Sequence, residues 1–423
     1  MSPSQEAQPQ PEPWHLIPLH EFRPPSAPAS EAVRTGVRAL WEELRQRFFP
    51  RSAAEPDLEL PELRSAPAAF LERVVPTPDW SCLGMAGLAE ALKGWQAAPA
   101  EVGPVVLVAP PHSHLAERVC CWAREQGYPI LEPPSRGAIL AGDDGWLSSW
   151  SAPEPLPLVL PHLERCFLRH HRGLALVRRL LEQSWSSTGG RLLVCDSWAW
   201  NYLVQACQVQ GVFPRVLTPA PLGAEELAGW FWDLAATGGP HPSFRQADDG
   251  NLVIHPPAAA AADQATGGEE ADPTPPRPGT DFLNHVAARS RGNPGVAWAI
   301  WRHSLYVAVD EDVAEKAQAE AAADRGPTIW VRPWERLELP SMPAQAGKEH
   351  AFVAQSLLIH GGLPADLLEP LLPLPAGVAE RALEELRLAG LVQCVAGEWT
   401  ITALGYPAVH SYLRQEGYGV DDL

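Results

Sequence analysis

The chain has 423 residues, 46% of them hydrophobic, and a net charge of −19. At about 150 residues per domain this predicts two or three domains with room for a sizeable core, while the acid excess opposes an extended nucleic-acid surface, which needs clustered Lys and Arg. No apolar run approaches the ~20 residues of a membrane span, and the Pro/Gln/Glu-rich start Met1–Pro13 lacks the basic and apolar regions of a signal peptide, so a cytoplasmic protein is expected.

In chain order, residues 1–30 read as a disordered Pro-rich tail. Residues 31–100 read as an N-terminal helical segment. Ser30 is placed to cap a helix running to Phe49, with Val33, Val37, Leu40, Trp41, Leu44 and Phe48 at helical spacing, and a second helix is expected around Met85–Trp95. Between 101 and 240, strand patterns at 105–109, 128–132, 156–160, 191–195 and 213–218 alternate with helix patterns at 114–126, 173–187, 198–210 and 223–236. That alternation predicts an α/β fold, a parallel sheet with helices on both faces. Residues 241–280, rich in Ala, Pro, Gly, Asp and Glu, read as a low-complexity linker or insertion in which only Asn251–His255 resembles a strand. Residues 281–345 form a lid-like helical region with Phe282, Val286, Val296, Ala299, Ile300 and Leu305 on its apolar face, followed by a short strand at Thr328–Trp334. From 346 to 423, helix patterns at Glu349–Ile359, Ala365–Leu372 and Ala376–Ala389 precede a hairpin around Ala396-Gly397, an arrangement similar to a winged-helix domain.

The motifs concentrate in the α/β segment. The strand Val105–Ala109 leads through Pro110-Pro111-His112-Ser113-His114 into a helix pattern, which is the strand, loop and helix frame of a phosphate-binding P-loop. The phosphate-holding residues are absent: Ala109, His112 and His114 stand for the loop glycines, Leu115 for the Lys, and Ala116 for the hydroxyl that would hold Mg²⁺. An ordinary α/β turn carrying two surface histidines fits the same residues. The second buried strand, Pro157–Leu160, ends where a Walker B acid would sit, and Pro161 and His162 fill that place with Glu164 as the nearby carboxylate. The third, Arg191–Cys195, runs into Asp196-Ser197, at the place of a polar sensor. Gly292-Asn293-Pro294-Gly295 resembles a lid-domain element in which Gly295 stands for an arginine that would contact the γ-phosphate.

Four elements in this order resemble a degenerate AAA+/STAND-type P-loop ATPase with a C-terminal winged-helix domain, over roughly residues 100–310 for the ATPase part. The resemblance implies a P-loop-NTPase-like core followed by a helical lid. With the Lys, hydroxyl and Walker B positions lost, it implies a pseudo-ATPase with no catalytic residue and no cofactor, or with ATP bound only weakly by backbone groups. The three lysines, Lys93, Lys316 and Lys348, lie outside any glycine-rich loop.

His112, His114 and His162 at the strand ends would suit Zn²⁺ if they converged, but His-x-His on a loop is common, and no metal site is expected. The seven cysteines lack metal spacing and read as reduced structural thiols. The 17 tryptophans are distributed throughout, and Trp185, Trp198, Trp200, Trp230 and Trp232 lie in helix patterns that favour packing over base stacking. The basic run Arg165–Arg172 with Arg178-Arg179 fits a dock for an acidic partner or membrane headgroups, and fits better a solvated helical face with Leu168, Leu174, Val177 and Leu181 inward. Residues 346–423 hold four basic residues against ten acids, a local balance of −6, and the presumed recognition helix carries Glu380, Glu384 and Glu385. The expectation is a non-catalytic regulatory or scaffolding protein acting through protein–protein contacts, with a protein partner, with nucleic acid disfavoured and oligomerisation left open. An ATP-binding switch or ATPase completed by a partner subunit is the alternative, and a winged-helix transcriptional regulator ranks third.

Overall fold

The computed structural model describes residues 14–28, 63–151, 157–186, 190–236, 241–257, 276–308 and 326–423. The helix expected over Ser30–Phe49 lies outside them. The chain divides into two compact units, one of Met1–Arg23, Asp79–Pro221 and Leu339–Leu423, the other of Pro24–Pro78 and Leu222–Glu338. In chain order the strands are β1 (Leu16–Pro18), β2 (Leu63–Ser65), β3 (Val105–Ala109), β4 (Leu158–Leu160), β5 (Arg191–Asp196), β6 (Arg215–Pro219), β7 (Ser243–Gln246), β8 (Ile254–His255), β9 (Arg277–Pro278), β10 (Leu305–Ala308), β11 (Thr328–Val331), β12 (Val392–Val395) and β13 (Glu398–Ile401).

The first unit is an α/β layer on a sheet of order β1-β6-β3-β5-β4. β3, β4, β5 and β6 are parallel, with Val105 opposite Leu192 and Ala109 opposite Asp196. Strands covered on both faces read as continuous apolar runs, and every residue of β3 is buried. Val105, Leu107, Leu192 and Val194 meet Leu88, Leu92 and Trp95 of the helix Met85–Ala97 and Leu115, Val119 and Trp122 of the helix Leu115–Glu125. Alternation along the strand turns Val106, Val108 and Leu193 to the opposite face, where the helix Ser197–Cys207 packs on β3 and β5. From β3 the chain crosses to the β4 edge, returns to β5 and then passes to β6 on the other flank. This reversal of strand order opens a crevice at the carboxyl ends of β3 and β5.

Two expectations change here. The stretch 128–132 forms a single bridge, Ile130 to Val159, because Pro129 has no N–H to donate and Pro133-Pro134 ends the run. The stretch read as a disordered tail contains β1, which pairs antiparallel with β6 and closes that edge. Trp14 anchors it. A Cβ on Gly84 would lie 2.4 Å from the Trp14 Cβ, and Gly84 has φ +65°, so glycine is required where the tryptophan crosses.

Residues 339–423 add three helices, Lys348–Ile359, Ala365–Leu371 and Val378–Leu388, then the hairpin β12-β13 and a last helix, Tyr406–Gln415. Leu363 bridges Trp399, extending the hairpin by one short pairing. The hairpin turns through Ala396 and Gly397, both left-handed, as a two-residue turn matching strand twist requires.

The second unit holds a four-stranded sheet, β2-β10-β11-β7, in which β7 pairs parallel with β11 and the other pairings are antiparallel. Trp301 is fully buried, stacked on Phe231 at 5.0 Å and flanked by Phe244 and Phe282. β7, β8 and β9 fall in the stretch read as a linker. Phe244 supplies the reason, since one aromatic ring in a polar-looking segment is enough to seat it in this core. The lid-like region contains helices Phe282–Ser290 and Pro294–His303, and also strands β10 and β11. Among the described residues, no helix is long and apolar enough to cross a membrane.

Candidate functional site

The crevice at the β3 and β5 ends has a volume of about 200 Å³ and brings together Ala109, His112, His114, Leu115, Ala116, Pro161, Glu164 and Asp196. Sequence order alone placed these residues near one another, and they line one cavity in the first unit. Gly295 belongs to the second unit. There Asn293 caps the helix Pro294–His303 by accepting from Gly295 N at 3.1 Å and Val296 N at 3.4 Å, which gives the Asn-Pro-Gly run a local structural role.

The loop's backbone and its side chains tell different stories. His112 and His114 have φ of +66° and +56°, the left-handed region that glycine enters freely and histidine enters at a cost. The loop therefore curves through two left-handed residues, held by side chains. His114 stacks on Trp80 with ring centroids 4.1 Å apart, and its Nδ1 lies 3.3 Å from Glu117 Oε1. His112 is not a surface residue: its ring meets Tyr406 edge-on, and its Nε2 is buried without a hydrogen-bond partner. Burial, then the neighbouring His114, lowers its pKa to about 4, against a small opposing effect of a backbone hydrogen bond with Ile401. Leu115, at the Lys position, is 2% exposed and belongs to the core cluster with Leu88, Trp95 and Trp122.

The acid side of the crevice is built on the turn after β4. Pro161 and His162 lead into a 3-10 turn, Leu163–Arg165, that buries Glu164. Glu164 Oε1 lies 2.8 Å from His162 Nδ1, and Oε2 accepts from Asp196 N at 3.3 Å. Burial opposes protonation of His162, yet the bond to Glu164 and its charge outweigh this and raise the His162 pKa. Asp196 caps the helix Ser197–Cys207 by accepting from Trp198 N at 2.9 Å. Burial and the Glu164 charge push the Asp196 carboxyl well above the usual range. Glu117, from the first turn of the next helix, also lines the cavity. No Lys or Arg is among the lining residues, so the ionisable groups lining the cavity are carboxylates, imidazoles and the Cys195 thiol. No group of three His, Cys, Asp or Glu suited to a metal ion occurs among the described residues, and His162 pairs with Glu164 instead of joining His112 and His114.

Residues 339–423 close over this end of the layer. Arg136 carries the closure: Nη1 donates to the carbonyls of Glu164 and Phe167 at 3.4 and 3.3 Å, and Nη2 to those of His360 and Gly362 at 2.7 and 3.4 Å. Burial, then the Arg165 charge, lowers its pKa to about 10, which leaves it protonated. Arg165 pairs with Glu398 at 2.7 Å, and Arg169 donates to Gln355 at 2.8 Å and, through its backbone N–H, to His360 Nε2 at 3.3 Å. The basic run is therefore a solvated helical face only in part. Residues 165–172 form a turn from which Arg165 and Arg169 reach across to 339–423, whereas Arg178 and Arg179 lie on the exposed face of the helix starting at Ala175, as the solvated-face reading has it, with Leu168, Val177 and Leu181 buried. Glu117, Arg136, Tyr406 and Ile401 were missed in the sequence. Glu117 was visible as an acid in a helix first turn, whereas the other three depend on contacts far apart in the chain.

No protein-family model and no curated protein matches the chain. Among solved structures it is similar to the Thermotoga maritima RuvB Holliday junction branch migration motor, at 16% identity and a TM-score of 0.29, over 82% of this chain and 99% of that one. It is also similar to Cdc6p from Pyrobaculum aerophilum, at 12% identity and 0.31, over 82% and 99%, and to Aeropyrum pernix ORC2, at 13% and 0.25, over 94% and 96%. With TM-scores below 0.5, the reading of the site rests on its own geometry.

Proposed function

We propose that this protein is a non-catalytic regulatory or scaffolding protein, built on an AAA+/STAND-like P-loop core whose phosphate site is filled by its own side chains, with 339–423 as an attached winged-helix-like module. The observation that carries the reading is Leu115. The residue at the position that would hold a phosphate-binding lysine is part of the hydrophobic core, so a charge there would be gained only at the expense of the packing beneath it. The remaining groups point the same way. A triphosphate entering the crevice would face the carboxylates of Glu117 and Glu164 with no lysine or arginine among the lining residues, and like charges repel. The local acid excess of 339–423 and the use of Arg165 and Arg169 in contacts to that module favour protein contact over DNA reading.

The left-handed backbone at His112 and His114 favours a second reading, an ATP-binding switch completed by a partner subunit, because a preformed cradle is what backbone-only phosphate binding needs. Equilibrium dialysis with ATP·Mg²⁺ separates the two. The scaffold reading expects no retention at micromolar nucleotide, and saturable micromolar retention supports the switch.

A further inference from the structure

Residues Gly417–Leu423 follow the last helix without forming helix or strand, yet Asp421 is 3% exposed and Leu423 is 5% exposed. A carboxylate at that depth persists only where donors replace its water. Those donors come from two regular helices. Ser197 Oγ donates to Asp421 Oδ2, Tyr406 OH donates to the same oxygen at 3.3 Å, and His410 Nε2 lies 3.1 Å from Oδ1. Trp198 Nε1 donates to Tyr406 OH at 3.1 Å and so orients the phenol, while Asn201 Nδ2 donates to the Val420 carbonyl at 2.9 Å. Ser197 opens the helix Ser197–Cys207, whose N-terminus favours negative charge. It also directly follows Asp196, so this site and the crevice share one helix terminus.

The donors are fixed by the fold, whereas the segment they hold has no sheet or helix of its own. We infer that Ser197, Tyr406 and His410 form a carboxylate-binding site in which Asp421 is the resident occupant, and that an acidic peptide of a partner protein competes for the same donors and displaces Gly417–Leu423. This rests on the protein-binding reading above by naming the chemistry of the partner. Peptide exchange tests the site and nucleotide dialysis tests that reading, so the two can fail independently.

The probe is a labelled synthetic peptide of residues 416–423, titrated by fluorescence anisotropy into the chain truncated after Gly417 and into the full chain. The truncated chain is expected to bind it saturably, the full chain at least about tenfold more weakly because its site is filled, and the Asp421→Asn peptide at least about tenfold more weakly than the native one, since hydrogen bonds to a charged group carry that much affinity. A truncated chain that keeps its circular dichroism and cooperative melting but binds neither peptide, or binds both equally, overturns the inference. If truncation prevents folding, hydrogen exchange on the full chain decides. Ser197→Ala should speed exchange of the 418–423 amides severalfold while β3 and β5 stay unchanged, and unchanged exchange at 418–423 overturns the inference.

Discussion

Installing phosphate-loop residues with His112→Gly, His114→Gly, Leu115→Lys and Ala116→Thr tests whether the loop can hold phosphate. Leu115 sets the magnitude. It is 2% exposed and packs with Leu88, Leu92, Val119 and Trp122, and losing a leucine from such a cluster costs about 2–5 kcal/mol. A lysine there either keeps its ammonium buried and unpaired, at several kcal/mol more, or runs its stem to the crevice, where Glu117 and Glu164 would offset part of the loss. The glycines nearly cancel. Each relieves a left-handed penalty of about 1–2 kcal/mol, but returns about 0.5–1 kcal/mol through unfolded-chain freedom and forfeits contacts of His112 with Tyr406 and His114 with Trp80. The net expectation is a loss of about 3–5 kcal/mol against a total of about 5–15 kcal/mol. Urea unfolding followed by tryptophan fluorescence should show the midpoint fall, and calorimetric titration with ATP·Mg²⁺ should stay flat. An unchanged midpoint with new micromolar binding would refute the reasoning.

Arg136→Met removes a guanidinium that four carbonyls share, and about 3 kcal/mol or more should be lost; hydrogen exchange should quicken across Lys348–Ile359 before it does in β3. For His112, whose folded pKa of about 4 lies below the ordinary 6.5, the unfolded chain binds the extra proton between those values. The stability it supplies is complete above about pH 6.5 and is lost as pH falls toward 4, by no more than about 3 kcal/mol. His112→Asn tolerates the left-handed backbone and removes the titration, so a plot of urea midpoint against pH should be shallower over that window, and an unchanged slope would assign the acid loss elsewhere. In the second unit, Asn293→Ala should cost about 1 kcal/mol through loss of the cap, read as faster exchange in the first turn of Pro294–His303. Duplex DNA should give no mobility shift with the full chain at low salt, given the −6 balance of 346–423.

The parallel strands were legible because a strand buried on both faces has to be apolar throughout, as Val105–Ala109 is. The helices that cover them were legible from their spacing, and Leu115, Pro161, Glu164 and Asp196 were legible as positions because a strand end fixes where its loop begins. What failed was long-range. β1 is three residues with a proline, too short for any period, and it exists because Trp14 finds Gly84 and because β6 needs an edge partner. β7 looked like linker because its single large apolar residue, Phe244, is buried by Trp301 from 57 positions away. The arginines of 165–172 read as a surface because a sequence does not reveal that Glu398 and Gln355 lie opposite. His112 was read as standing where a loop glycine would be, and only the backbone angle reveals that it adopts the left-handed conformation a glycine enters freely.

On the proposed reading the crevice does not turn over nucleotide, and phosphate release from ATP·Mg²⁺ by the purified full chain is compared with that of Glu164→Gln, the variant lacking the buried carboxylate nearest the Walker B place. Both proteins are expected to release phosphate at the rate of buffer alone. Turnover by the native chain that Glu164→Gln abolishes would contradict that reading.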